Sequence, residues 1–154
     1  MADRVDYFFR QRVTEAELDL GFALLALVTC WRQNLLFMQD ANIDLATGFV
    51  AFWPALLANH ATTSITIDMF MLGVAVMTWM VVEARRLGVR GVWAYILLSF
   101  PIGISVMVPL FLVARERAMD RRPEPGPGLG RGDVIGLVVL IVPVLGFAIW
   151  LLGG

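Results

Sequence analysis

The chain has 154 residues, of which 59% are hydrophobic and 16% charged, with a formal net charge of -1. A soluble domain carries about 25% charged residues; too little polar surface is present here to clothe a globule, which excludes a soluble helical protein. The near-neutral balance leaves no electrostatic footprint for nucleic acid, and one cysteine, Cys30, excludes an intrachain disulfide.

The first element predicted is a span over 18–38. Ahead of it, MADRVDYFFRQR mixes arginines with Asp3 and Asp6, and Glu15, Glu17 and Asp19 follow. The apolar run 20–31 ends in Trp31, Arg32 and Gln33 rather than a small-residue cleavage site, so this segment reads as a retained span, not a signal peptide. Asp19 suits one headgroup layer. Arg32 lies about 20 Å further along the helix. It either snorkels to the other layer or turns with Gln33 and Asn34 to the interior.

QDANID then supplies turn and cap residues. The uncharged run 45–58 is too short to cross a bilayer and contains Pro54, which predicts an interfacial or re-entrant helix. Asn59, His60, Thr62, Thr63 and Ser64 are capping candidates before a second span over 65–82. EARRLGVRG makes a tight basic turn. A third span, 92–114, contains Pro101, Gly103, Ser105 and Pro109, which predicts one kinked helix. The proline- and glycine-rich connection PEPGPGLG reads as a linker. Gly132 and Gly136 form a GxxxG pair at the start of the last span, 134–152.

The expected fold is therefore all-α, a single membrane domain over 1–154 with four transmembrane helices and one short non-spanning helix. Every basic residue is an arginine. With four spans these arginines divide six to six between the two faces. The poverty of arginine in the first external connection and the compact turn at 85–90 favour cytoplasmic termini in a bacterial cytoplasmic membrane.

Asp68 is the one charge inside the three clean apolar stretches. A carboxylate in hydrocarbon costs about 2.5–3.5 kcal/mol near the centre of a span, so Asp68 is expected to face the bundle. Arg32, Asn34, a backbone carbonyl or a water are its candidate contacts. Ser64, Asp68, Leu72, Ala75, Trp79 and Glu83 share one helical face by spacing. Glu83 lies about 22 Å from Asp68 along a straight helix. It cannot share an acid–base step with Asp68, and pairing with Arg85 or Arg86 suits it better. His60 is too far from Asp68 for a direct relay and fits the helix entrance. No metal-ligand spacing, phosphate loop or haem motif is present, and no cofactor is implied.

The arrangement LLANHATTSITIDMFMLGVAVMTWMVVEARRLGVRGVWAYILLSFPIGISVMVPLFLVARER, residues 56–117, resembles a family of small bacterial integral membrane proteins known as domain of unknown function 2834. The segment 40–59 is similar to that family's entrance region. Asn59, Asp68, Glu83, Arg86 and Pro109 stand where the family's recognisable polar, basic and proline positions fall. The resemblance implies membrane architecture and carries no reaction with it.

Three functions follow as expectations. The first is a non-enzymatic accessory or assembly component whose partners are membrane lipids and either a second copy or a larger membrane complex. The second is a lipid or isoprenoid enzyme, of the terpene-cyclase kind, with Asp68 as proton donor and Trp79 facing the carbocation. The third is a small proton-coupled transporter using Asp68.

Overall fold

A computed structural model describes residues 2–121 and 128–153, with side chains from residue 15 onward. The described residues form α1 (Ala2–Ala41), α2 (Leu45–Ala55), α3 (His60–Leu87), α4 (Val92–Ser99), α5 (Ile104–Asp120) and α6 (Arg131–Gly153), with no strand among them. The all-helical expectation holds. Three helices are long and apolar enough to cross a membrane: the Glu15–Ala41 part of α1, α3 and α6. Most of the expected linker, residues 122–127, lies outside the described residues.

The stretch 92–114 is not one kinked helix. It is cut into α4 and α5. Pro101 has no N–H to continue the ladder, and Gly103 adopts φ 126°, a conformation that side chains with a Cβ rarely tolerate. The turn nevertheless keeps its backbone groups bonded. Ile102 N donates to Leu98 O at 3.0 Å and Gly103 N to Ser99 O at 3.1 Å. From α1, Trp31 Nε1 donates to Ile102 O at 3.2 Å. Tyr95 on α4 meets Phe111 on α5 edge to face at 5.8 Å. The two helices therefore fold back on each other about the proline–glycine turn.

The chain divides into two compact units, residues 1–31 with 80–128, and residues 32–79 with 129–154. In the first, Met80, Val81, Ala84, Val92, Ile96 and Phe111 are wholly buried. The end of α3, α4 and α5 thus make a small packed core.

In the second unit, α2 lies against the last turns of α1. Gly48 allows this: a Cβ there would sit 2.6 Å from Cγ of Met38. Phe37 meets Phe52 at 6.2 Å, and an aromatic series continues from Trp53 to Phe70 and from Phe70 to Phe147. Asp44 caps α2, accepting from Thr47 N at 2.7 Å. At the other end Thr66 Oγ1 donates to Leu56 O at 3.2 Å. The 11 residues of α2 make a rod about 17 Å long, too short to cross a bilayer about 30 Å thick. The non-spanning expectation for this segment agrees with that length.

Candidate functional site

The last turns of α3 are built around Glu83, whose side chain is only 7% exposed. Arg86, one turn on, donates from Nε to Oε2 and from Nη2 to Oε1, both at 2.7 Å. Arg115, reaching over from α5, donates from Nε to Oε1 at 2.8 Å. Its Nη1 donates in turn to Glu116 Oε1 at 3.0 Å. Two carboxylates and two guanidinium groups thus balance one another. A buried ion pair holds only if its remaining lone pairs are also bonded, and both oxygens of Glu83 are. The arrangement clamps α5 to α3; it does not present a free acid or base.

The expected pairing of Glu83 with Arg86 is therefore observed. Arg115 and Glu116 were not among the expected residues. Only the fold-back of α5 brings a side chain 32 positions away to Glu83, and no local spacing signals that.

Asp68 differs from expectation. It lies exposed on α3, with exposed Ile65, Met69 and Leu72 around it. It makes no hydrogen bond or ion pair with the described residues. The physical reason is helical phase. In this unit the buried positions of α3 are Thr66, Gly73 and Met77, and Asp68 is rotated from Thr66 by about 200°. Thr66, Gly73 and Met77 take the inside, which puts the carboxylate outside. Ser64, Leu72, Ala75 and Trp79 are exposed with it, and the stripe ends at buried Glu83, which Arg115 covers.

Arg32 and Gln33 are likewise exposed, and Asn34 is half-buried. Arg32 makes no ion pair with the described residues. Asp68 does not bond Arg32 or Asn34, the contacts expected of it. Asn59 is a helix cap: its Oδ1 accepts from Ala61 N and Thr62 N at 3.0 Å, and Thr62 Oγ1 returns a bond to Asn59 O at 2.9 Å. His60 is exposed as the first residue of α3, at the helix entrance where it was expected.

Asp133 was also missed. It is buried at the start of α6 and accepts from Gly130 N at 2.9 Å through Oδ2. An acid in the first turn after RG is readable as a helix-start signal. A Cβ on Gly132 would meet open space, so no neighbour among the described residues uses that half of the GxxxG pair. Among the described residues no group of three or more His, Cys, Asp or Glu is placed to hold a metal ion.

These features define an all-helical protein with three helices fit to cross a membrane and a carboxylate–guanidinium clamp at the end of one of them. The chain belongs to the family described as protein of unknown function DUF2834, whose model matches residues 20–117. That match runs from α1 through the Glu83–Arg115 clamp and stops short of α6. No curated protein and no solved structure matches the chain.

Proposed function

We propose that the chain is a small multi-pass protein of the cytoplasmic membrane without enzymatic activity of its own, an assembly component that pairs with a second copy of itself through Arg32 and Asp68. In this reading α1, α3 and α6 are the spans, and α4 with α5 forms a re-entrant hairpin. The eight residues of α4 reach only about 12 Å. The clamp from Arg115 to Glu83 fits a return of α5 to the side on which α3 ends. Irregular backbone at membrane depth is tolerated where protein satisfies it, and Trp31 supplies that bond to Ile102.

The amino terminus then lies on the side where α3 ends, and the carboxy terminus on the opposite side. Every arginine except Arg32 falls on the face of the amino terminus, where four spans had left a tie. The positive-inside bias makes that face cytoplasmic.

The observation that supports self-pairing is a pair of opposite charges left open at matching depth. Arg32 lies about 14 Å before the end of α1, and Asp68 about 12 Å after the start of α3. Those helix ends share a side because α2 does not cross. Each charge is exposed and without an ion pair among the described residues. An ionisable group in a span needs a partner or water. A two-fold pairing of copies brings Arg32 of each to Asp68 of the other, as a self-complementary patch requires. The enzyme and transport readings call for a second polar group beside Asp68, and the described residues offer none bonded to it.

Mass measurement and single-molecule photobleaching in lipid nanodiscs test this. The native chain is expected to be dimeric. Arg32→Asp alone and Asp68→Arg alone set like charges across the interface and are expected to be monomeric. Mixing those two variants restores opposite charges at both contacts and is expected to give heterodimers. A native chain that stays monomeric, or single variants that dimerise as well as the native chain, would overturn the reading.

A further inference from the structure

A cavity of about 550 Å³ opens at the end of α3, between the turn that follows it and the last turns of α5. That volume lies within the ordinary range for small-ligand sites, about 300–1,000 Å³. Among the described residues its polar lining is Arg90, Arg117 and Arg121, its apolar lining includes Leu87, Val89 and Ala114, and no carboxylate is among them.

Local structure assembles these cations. Gly88 closes α3 at φ 68°, and Val89 N donates back to Ala84 O at 2.8 Å. This left-handed closure, which glycine adopts without a Cβ penalty, turns the chain so that Arg90 joins the cavity wall. Arg117 and Arg121 are four residues apart on α5 and so share one face.

Among the described residues the neighbouring carboxylates do not bond them. Glu83 is taken by Arg86 and Arg115, and Glu116 bonds Arg115. Arg90, Arg117 and Arg121 make no hydrogen bond or ion pair with the described residues. Like charges at this helical spacing repel, and a low-dielectric wall strengthens that repulsion. An anion seated among them removes it.

We propose that this cavity binds a phosphate group, and that the group belongs to an anionic phospholipid of the cytoplasmic leaflet. Guanidinium groups bind phosphate through paired N–H donors. The apolar wall of Leu87, Val89 and Ala114 fits the glycerol and first methylenes of a lipid rather than a fully hydrated anion. Basic pockets on the cytoplasmic side of membrane helices suit such headgroups. The proposal rests on the membrane reading above but not on self-pairing.

The test uses the full chain in mild detergent, titrated separately with short-chain phosphatidylglycerol, short-chain phosphatidylcholine and inorganic phosphate. Thermal unfolding and native mass spectrometry are the readouts. Phosphatidylglycerol is expected to raise the unfolding temperature saturably and to remain bound, with phosphatidylcholine much weaker. Arg117→Gln combined with Arg121→Gln is expected to weaken phosphatidylglycerol on the order of tenfold or more. Arg90→Gln serves as a second, independent variant in case the pair fails to fold. Asp68→Arg, which breaks self-pairing, is expected to leave lipid binding unchanged, so the two proposals fail separately. A saturable response to inorganic phosphate, lost in the same variants, would keep the phosphate site and reassign its source to a soluble anion. Equal responses to the two lipids, or variants that bind as the native chain does, would overturn it.

Discussion

The Glu83 cluster of one unit and the Arg32 and Asp68 pair of the other treat their charges in opposite ways. Around the end of α3, Glu83 is buried and both its oxygens are bonded by guanidinium groups from Arg86 and Arg115. In the other unit Arg32 and Asp68 stand exposed and open on their helices. The first set is closed by the chain itself and sits beside a wholly buried core. The second has small residues, Gly48 and Gly73, where the first has Phe111 and Ile96. Charge that a fold completes internally serves stability, whereas charge it leaves open at a span is available to a partner. That contrast motivates the proposal that the open pair, and not the clamp, meets a second copy.

The sharpest way to break the comparison is to remove the closed charge. Glu83→Gln leaves Arg115, which is 23% exposed, facing a neutral partner. Breaking a largely buried pair from one side is expected to cost about 3 kcal/mol. Arg115→Gln is expected to cost a similar amount, and the double variant less than the sum. Arg86→Gln should cost less than either, because its side chain is 64% exposed and solvent can reach the Oε2 that it leaves. Unfolding titrations in mixed detergent measure all of these. If Glu83→Gln is no less stable than Asp68→Asn, the division between closed and open charge is wrong.

A smaller effect sharpens the packing side of the contrast. Gly48→Ala places a Cβ against Met38, 2.6 Å from Cγ and 2.7 Å from Sδ. Displacing Met38 is expected to cost about 1–2 kcal/mol, read as a lowered unfolding midpoint. Trimming the obstruction with Met38→Ala in the same chain should recover part of that loss, since the clash is with a flexible side chain rather than backbone.

The smallest effect is one of pH. The Thr47 N–H bonded to Asp44 holds that carboxyl below the usual carboxylate range. A pKa lower in the folded chain than in the unfolded one means that the cap's contribution is present above the ordinary carboxylate value and is lost as pH falls through the folded value. Amide exchange at Thr47, corrected for its intrinsic pH dependence, should therefore lose protection in acid. Asp44→Ala should show weak protection at every pH. Protection of the native amide that ignores pH would show that the carboxylate is not what caps α2.

Much of this was legible from the residues. Asn59 before a run of threonines marks a helix start whatever lies around it, because the cap is made with the helix's own first N–H groups. The Glu83 and Arg86 contact is likewise one helical turn long. Asp68 was legible as a charge in a span, but its direction was not. Periodicity placed it on a stripe with Ser64, Leu72 and Trp79; which stripe faces inward shows only in the burial of Thr66, Gly73 and Met77.

The sequence by itself determined the all-helical class, the short helix over the Pro54 segment, the caps and the apolar lengths of α1, α3 and α6. These follow from propensity, local hydrogen bonding and transfer free energy, each of which acts over one or a few turns. Only the tertiary structure decided that 92–114 is two helices folded on each other, that Arg115 returns to Glu83, and that Asp68 faces outward. Pro101 and Gly103 allow either a kink or a reversal. The choice between them is made by contacts distant in sequence: Tyr95 against Phe111, Trp31 on the Ile102 carbonyl, and a guanidinium that meets a carboxylate only after the chain has turned back.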